Sequence, residues 1–254
     1  MMCNNECKPI VKLISYNSGA LDVIERAAAV CYDSKPTSKY YIMNDCISNG
    51  HTSVTEYATF VFEIRGVSRA LLAQLTRHRI GCSFTVRSQR YCNEDQFNYV
   101  IPLTIKNKEC AKVEYIKLMN TINETYKYLQ ELGVPNEDAR YVLPNACETV
   151  LTCSFNLRSL MHFLNERLCT RAQWEIRYIA RAMRDLVLGI YPQLKSNLVP
   201  KCESNKIPFC PEKKSCGRHP KLEQLVNVQS TEPQKSADDF SDDLVVDDLD
   251  IIVK

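Results

Sequence analysis

The sequence predicts an α+β protein, because strand and helix patterns occur together in one chain of 254 residues. Residues 58–65 and residues 148–156 place large apolar side chains at every second position, which is the period of a strand with one buried face. Residues 109–132 have the amphipathic pattern of a long helix. Hydrophobic residues make up 45% of the chain, which is enough for one substantial core or two small ones, and one main domain is expected.

The other elements of the N-terminal half follow from shorter patterns. They are a strand at residues 9–15 and helices at residues 21–31 and 39–48. Asn49 and Gly50 are expected to stop the helix before them, since both accept a left-handed cap. Gly66 is expected to break the strand at 58–65, and Ser68 to cap a helix that leads to a cluster of arginines.

The C-terminal half is predicted to be mainly helical. Gly133 ends the long helix, Pro135 begins a short one, and a further helix ends near Pro192. The predicted helices after the strand at 148–156 lie at residues 157–169 and 173–190. The folded body is therefore expected to finish near residue 200.

These boundaries predict three parts: a catalytic domain at residues 1–200, a cysteine-rich extension at 201–225 and an acidic disordered tail at 226–254. The tail contains eight acidic residues and two lysines, so it carries a charge of −6 and leaves +8 for the rest of the chain. A moderately basic body suits an anionic ligand such as a nucleotide. The tail itself is compatible with binding a partner or with increasing solubility.

The composition also indicates a location. The longest apolar runs fall far short of the roughly 20 residues that a membrane helix needs, so no membrane association is expected. No basic segment followed by an apolar stretch begins the chain, and the thirteen cysteines are scattered and odd in number. We therefore expect a cytoplasmic protein with reduced cysteines.

The densest group of polar residues lies in RHRIGCSFTVRSQRY, residues 77–91, which contains four arginines, one histidine and two serines. Arginine binds phosphate or a pyrimidine carbonyl through paired hydrogen bonds. Backbone N–H groups in a turn at residues 88–90 could complete a phosphate cradle. The alternative is a solvated basic loop, because exposed runs of charge are common.

A second group lies on the predicted helix at 157–169. Arg158 and His162 share one face, whereas Arg167 falls at the edge of the apolar stripe. The Arg167 guanidinium is therefore expected to be partly buried and to need an anionic or carbonyl partner. A structural salt bridge is the alternative to a ligand contact.

Together these motifs resemble the flavin-dependent thymidylate synthases, the thymidylate synthase-complementing protein family. RHR followed by S-x-R-Y is similar to the family signature, as is the H-x-S-x-x-E arrangement that begins at His51. Further similar segments are ARYVLP, FNLRSLMHFLNERL and AQWEIR. The resemblance covers roughly residues 8–192. It implies a central antiparallel or mixed sheet flanked by helices, and a homotetramer in which sites are shared between subunits.

The resemblance also implies the ligands and the residues that bind them. The expected reaction is reductive methylation of dUMP to dTMP, with FAD as cofactor and 5,10-methylenetetrahydrofolate and NADPH as co-substrates. His51 would lie near the flavin face where folate or reductant enters, and Arg167 would be the catalytic residue. The residues implied to contact FAD are Ser53, Arg77, His78, Arg79, Asn156, Arg158 and His162. Those implied to bind dUMP are Gln74, Arg77, Ser88, Gln89, Arg90, Arg140 and Arg167.

Two departures from the family pattern keep a related methylase of another pyrimidine nucleotide, such as UMP, as an alternative. The segment between RHR and Ser88 is one residue longer than the family pattern, and Gly81 is the expected point of adjustment. Val86 stands where the family commonly has an acidic or amide side chain. His51 and His78 could each be structural histidines.

Two other kinds of site were weighed. A nucleic-acid-binding protein could use four arginines as a basic helical face, but Glu175 and Asp185 can pair with that face, so no nucleic acid is expected. Those arginines are Arg171, Arg177, Arg181 and Arg184. No metal is assigned to the site. The extension nevertheless has zinc-ligand residue types at irregular spacing, and free thiols are the alternative. These residues are Cys202, Cys210, Cys216 and His219.

Overall fold

The structure is a computed structural model that describes residues 6–226. The predicted acidic tail lies outside the described residues, except for its first residue. The strands are β1 (Ile10–Tyr16), β2 (Thr59–Ser68), β3 (Cys82–Val86) and β4 (Glu148–Asn156). The helices are α1 (Ala20–Val30), α2 (Tyr41–Ser48), α3 (Arg69–Leu75), α4 (Leu103–Lys106), α5 (Glu109–Glu131), α6 (Asn136–Ala139), α7 (Leu157–Arg167), α8 (Trp174–Ile190) and α9 (Leu222–Val226). Short 3-10 helices occur at Thr52–Tyr57, Arg140–Val142 and Pro192–Leu194.

The four strands form one sheet in the order β1-β2-β4-β3. Its pairing is antiparallel, as the bonds beside β3 and β4 show. The Asn156 N–H donates to the Gly81 carbonyl at 2.9 Å, and the Arg87 N–H donates to the Val150 carbonyl, also at 2.9 Å. Residue numbers thus rise along one strand as they fall along the other. The α+β class and the antiparallel sheet are confirmed.

Gly66 does not break its strand, so that prediction was wrong. The residue has a φ of +68°, but β2 continues through it to Ser68. Its N–H donates to Glu148 Oε1 at 3.0 Å, and a Cβ at this position would collide with the Lys8 backbone. Glycine therefore permits a local distortion and a close approach of two backbone segments without ending the strand.

The described chain divides into two compact units, and the strands of the sheet contribute residues to both. The first unit comprises residues 6–11, Phe62–Arg79 and Ser83–Cys153. The second comprises Lys12–Val61, Ile80–Cys82 and residues 154–226. The predicted division at residue 200 stays a prediction.

Within the first unit, a cluster of buried side chains lies beside α5. Phe97, Tyr99 and Ile101 pack with Met119 of α5 and with Cys147, which precedes β4. The Phe97 and Tyr99 rings are 6.2 Å apart in an edge-to-face arrangement, as are Tyr99 and Tyr115 at 6.1 Å. This core fixes the long helix and the start of β4.

Within the second unit, α7 and α8 pack through their apolar faces. Leu160, Phe163 and Leu164 of α7 are fully buried, as are Ile176 and Met183 of α8. Their spacing of three, four or seven residues is that of one helix face, as the sequence predicts. The opposite face of α7 is left available for polar side chains.

Strand β3 was not predicted from the sequence. Its residues Ser83 and Thr85 are exposed, while Cys82, Phe84 and Val86 are half-buried. Such a short strand lies inside a basic segment that we interpreted as a binding loop. None of the helices of residues 6–226 is long and apolar enough to cross a membrane.

Candidate active site

Helix α3 delivers the RHR motif to the surface of the first unit. Its start is fixed by Ser68, whose hydroxyl accepts a hydrogen bond from the Leu71 N–H at 3.0 Å, as predicted. The helix ends before Arg77, and both Arg77 and Arg79 are exposed. Neither guanidinium has a carboxylate partner within the described part of the chain. Two unneutralised positive charges therefore stand at one helix end.

The turn after β3 is held by its own hydrogen bonds. The Ser88 carbonyl accepts from the N–H groups of Tyr91 at 3.3 Å and Cys92 at 3.0 Å, and Ser88 Oγ accepts from the Arg90 N–H at 3.3 Å. The turn exists as predicted, but the Arg90 and Tyr91 amides are already bonded. A phosphate at this turn would therefore contact side chains rather than those two amides.

Glu137 brings together two of the arginines implied to bind dUMP. Arg90 donates to Glu137 Oε2 through Nε at 3.0 Å and approaches the same oxygen through Nη2 at 2.8 Å. Arg140 Nε donates to the backbone carbonyl of the same residue at 3.0 Å. The bond to Glu137 raises the pKa of Arg90, which stays charged. Glu137 was not identified from the sequence, because nothing in its local pattern distinguishes it from a surface carboxylate.

Two glutamines implied to bind dUMP have protein partners. Gln89 is buried, and its Nε2 lies 3.5 Å from Cys147 Sγ. Burial raises the pKa of the Cys147 thiol to about 12, so this contact is between neutral groups. Gln74 is half-buried, and its Nε2 lies 3.5 Å from the Ala70 carbonyl. Gln74 is therefore more accessible to a ligand than Gln89.

A buried carboxylate, Glu94, supports the same turn and was also missed from the sequence. It is 4% exposed and lies 3.4 Å from Arg87 Nη2. Burial raises its pKa, and the charges of Arg87 and Arg69 oppose that shift. The polar run that contains Glu94 has no periodicity, so its burial could not be predicted.

In the second unit, Asn156 joins the end of β4 to the start of α7. Its Oδ1 accepts from the Ser159 N–H at 2.9 Å, and its backbone N–H donates to the Gly81 carbonyl at 2.9 Å. Ser159 Oγ donates to the Ile80 carbonyl at 2.5 Å. Gly81 itself has a φ of +66°, which glycine adopts without steric cost. Residues 80–81, where the longer segment between RHR and Ser88 is expected to be adjusted, are thus hydrogen-bonded to the start of α7, the helix that carries Arg158.

Arg158 meets the H-x-S-x-x-E segment of the same unit. Its Nη1 lies 2.6 Å from Glu56 Oε1, and both side chains are about half exposed. Glu56 belongs to the 3-10 helix that follows His51 and contains Ser53. Both His51 and Ser53 are exposed. His162, one turn after Arg158 on α7, is also exposed. The structure therefore confirms that this face of α7 is polar and accessible.

Arg167 is the last residue of α7 and is half-buried between the buried Leu164 and Leu168. This agrees with the expected position at the edge of the apolar stripe. The structure places the residues of the predicted site in both units. The first unit contains Gln74, Arg77, His78, Arg79, Ser88, Gln89, Arg90 and Arg140, and the second contains His51, Ser53, Asn156, Arg158, His162 and Arg167.

The arginines of the alternative nucleic-acid face have protein partners. Arg184 Nε lies 2.9 Å from Asp185 Oδ1, and Arg177 Nη1 donates to the Thr170 carbonyl at 2.7 Å. Arg171 lies 3.5 Å from Glu212. Arg171 and Arg184 are therefore paired with carboxylates of the protein, and Arg177 is bonded to a backbone carbonyl.

Only part of the cysteine-rich group comes together. Cys202 and His219 lie with Glu203, and one ligand atom of each is within 4.8 Å of the others. Cys210 and Cys216 do not belong to this group. The ligand set considered from the sequence is therefore corrected, since chain folding selects an adjacent carboxylate that spacing did not indicate.

The arginines at the end of α3 fit the phosphate groups of a flavin nucleotide. In the first unit, the exposed Arg77 and Arg79 at the end of α3 offer positive charge without a carboxylate partner among the described residues. In the second unit, the half-exposed Arg158 of α7 is paired with Glu56. Planar guanidinium groups match phosphate oxygens in pairs.

Comparisons with known proteins point to the same chemistry. The chain is 34% identical over 236 residues to the flavin-dependent thymidylate synthase of Nitratidesulfovibrio vulgaris, covering 84% of this chain and 96% of that protein. It is 38% identical over 211 residues to the enzyme of that name from Clostridium tetani, covering 72% and 84% respectively. A crystal structure of thymidylate synthase X from Helicobacter pylori with FAD and dUMP has a TM-score of 0.61 at 25% identity. That match covers 75% of this chain and 99% of the other.

The family model of the thymidylate synthase complementing protein matches residues 12–193, a segment that contains both arginine groups and the whole sheet except the first two residues of β1. The chain therefore belongs to the thymidylate synthase complementing protein family.

Proposed function

We propose that this protein is a flavin-dependent thymidylate synthase that converts dUMP to dTMP. The methyl carbon comes from 5,10-methylenetetrahydrofolate, and NADPH is the external reductant. The observation that carries the proposal is the accessible group of arginines in a chain whose relatives bear this name. The related Helicobacter pylori protein was crystallised with FAD and dUMP, which supports the choice of both ligands.

The proposed FAD contacts are the residues that the family resemblance implies. In the first unit, Arg77 and Arg79 supply charge to phosphate groups, with His78 between them. In the second unit, Asn156 is oriented by the hydrogen bond with which it caps α7, and Arg158 is oriented by its ion pair with Glu56. Ser53 and His162 complete the proposed flavin contacts, and His51 is proposed to lie where folate or reductant enters.

The nucleotide is proposed to bind near the turn that follows β3. Arg90 and Arg140 are both bonded to Glu137, which orients two cations for one phosphate. Ser88 and Gln74 are half-buried and are proposed to contact the nucleotide, whereas Gln89 supports the turn from its buried position. Arg77 is proposed to contact both ligands.

Arg167 is proposed as the catalytic residue. Carbon C5 of uracil becomes nucleophilic only when negative charge can develop on the ring, and a half-buried guanidinium near N3 and O2 stabilises that charge. Partial burial increases this effect, because water screens the guanidinium less. Reduced FAD supplies the hydride when bound, and the protein orients the reactants.

The active enzyme is proposed to be a cytoplasmic homotetramer with sites shared between subunits. The family resemblance is what supports this assembly, in which residues of one site come from different chains. The thirteen cysteines of the sequence are scattered and odd in number, which supports a reducing compartment. Size-exclusion chromatography with light scattering tests the assembly: a monomer would contradict it.

The first experiment is a visible absorption spectrum of the purified protein, followed by titration with dUMP and UMP. A flavin band that dUMP perturbs and UMP does not supports the synthase. A response to UMP would favour a methylase of another pyrimidine nucleotide, to which Val86 and the longer segment point. Colourless protein that FAD cannot reconstitute would contradict both activities.

Arg167→Ala then tests the catalytic assignment. We expect turnover to fall by on the order of 100-fold or more, with the FAD content unchanged, since the interaction is made mainly in the transition state. Arg65→Ala is the matched control, because Arg65 is an exposed arginine whose partner is Glu63. Equal turnover in the two variants would contradict the role of Arg167.

A further inference from the structure

Three different metal-ligand side chains meet in the C-terminal extension, which follows the last family motif in the sequence. They are the thiol of Cys202, the carboxylate of Glu203 and the imidazole of His219, with one ligand atom of each within 4.8 Å of the others. Cys202 is buried, at 8% exposure, and the other two side chains are each 21% exposed. A cation at this position would be largely shielded from solvent.

The distance between two of these groups matches a tetrahedral metal site. His219 Nε2 and Glu203 Oε1 are 3.3 Å apart. Two ligands at about 2.0 Å from a zinc ion, at a tetrahedral angle, are separated by about 3.3 Å. A charge-assisted hydrogen bond is shorter, at about 2.7–2.9 Å. The separation therefore suits shared coordination as well as a long direct hydrogen bond between the two groups.

Backbone contacts position the two parts of the site. The Phe209 N–H donates to the Cys202 carbonyl at 3.1 Å, and the Cys210 N–H donates to the Pro220 carbonyl at 2.8 Å. The segment at residues 209–210 thus bridges the neighbourhoods of Cys202 and His219. Residues 201–221 contain no helix or strand, so few other backbone bonds fix them.

A simple ion pair accounts for only part of this arrangement. Arg218 Nη1 lies 3.7 Å from Glu203 Oε1, which is a long separation for a pair of opposite charges. An Arg218–Glu203 pair would explain the carboxylate, but not the buried thiol within reach of both the carboxylate and the imidazole. Zinc accepts sulfur, nitrogen and oxygen ligands together, so it explains all three.

We propose that Cys202, Glu203 and His219 bind one Zn²⁺ ion, with water as the fourth ligand. Cys202 coordinates as a thiolate, whose proton passes to solvent, and His219 coordinates as the neutral imidazole. The thiolate and the carboxylate balance the two charges of the ion. Zinc binding at this site can be measured whether or not the proposed flavin chemistry is correct.

The site fastens the extension to helix α7. Beside it, the Lys201 N–H donates to the Asn165 carbonyl at 3.0 Å, and the Lys201 side chain forms ion pairs with Glu166 and Glu212. Asn165 and Glu166 directly precede Arg167, so zinc holds the chain that packs beside the end of α7. Metal removal is therefore expected to loosen this end of the helix.

The test is metal analysis of the full chain after incubation with Zn²⁺ and gel filtration. We expect about one equivalent of zinc in the wild type, and an affinity lower by on the order of 100-fold or more in Cys202→Ser and His219→Asn. Cys216→Ser is the matched control, since Cys216 is an exposed cysteine of the same extension, and it should keep its zinc. Loss of zinc in the control as well would overturn this ligand set.

Cobalt substitution tests the site by a spectrum rather than by affinity. Co²⁺ bound to one thiolate in a tetrahedral site is expected to give a thiolate charge-transfer band in the near ultraviolet and strong visible bands. These bands should be absent in Cys202→Ser. Zinc well below one equivalent, or a cobalt spectrum without the thiolate band, would overturn the proposal whatever the flavin content.

Discussion

Substituting Gly81 with alanine tests how the segment after the RHR motif is joined to helix α7. The residue has a φ of +66°, in the left-handed region, where any residue with a Cβ is sterically strained. A Cβ would also lie 2.5 Å from Asn156 Nδ2 and 2.9 Å from Asn156 Cγ, and closer still to Ser159 Oγ. Both neighbours would have to move, and both have hydrogen bonds to lose.

The size of the effect follows from those bonds. The left-handed conformation costs alanine about 1 kcal/mol relative to glycine. Displacing Asn156 removes the cap of α7, at about 1 kcal/mol, and displacing Ser159 removes its bond to Ile80, at about 1 kcal/mol. Gly81→Ala is therefore expected to lower the free energy of unfolding by about 3 kcal/mol.

Gly133→Ala is the matched control, because Gly133 has a φ of +82° but no atom lies within 4 Å of the point where its Cβ would be. It should lose only the backbone contribution, about 1 kcal/mol. For a chain of this size the difference of about 2 kcal/mol corresponds to a gap in Tm of about 4–8 °C. Thermal unfolding followed by circular dichroism measures it, and equal shifts in the two variants would refute the proposed coupling of residue 81 to the cap.

Three further predictions concern other parts of the protein. Burial raises the pKa of the Cys147 thiol from 9.0 to about 12. The contribution of the neutral thiol to the free energy of unfolding is therefore complete below pH 9 and is lost as the pH rises toward 12. Urea unfolding at several pH values should show that Cys147→Ala loses less stability than the wild type over that interval. Glu56→Gln should change the free energy of unfolding by less than about 1 kcal/mol, because its pair with Arg158 is half-exposed, and calorimetry showing a larger loss would contradict this. Gly66→Ala should be more disruptive than Gly81→Ala, since its Cβ would meet the Lys8 backbone rather than movable side chains; a native circular dichroism spectrum and unchanged Tm would disprove that reasoning.

The sequence was sufficient for the elements with clear periodicity. Strand β4 has the predicted bounds, and the stripe of α7 is buried at Leu157, Leu160 and Leu164. The cap at Ser68 was also predicted, because one side chain and the amide three residues later suffice to form it. Such features depend only on residues that are close together in the sequence.

Features that depend on distant residues were not predictable. Strand β3 is too short to show a period of its own, and its pairing with β4 involves residues about 70 positions away. Gly66 lies within a strand because residue 8 and Glu148 approach it from elsewhere in the chain. In the same way, Glu137 became important only when folding placed it against Arg90.

The sequence by itself determined the family and the residue types of the site, because RHR, S-x-R-Y and the later motifs are local and occur in a characteristic order. The tertiary structure alone decided which of these side chains are accessible: Arg77 is exposed, whereas Gln89 of the same basic segment is buried against Cys147. It also replaced the spacing-based zinc set with one that includes Glu203. The physical reason is that burial and side-chain pairing depend on contacts between segments far apart in the chain, which local periodicity does not record.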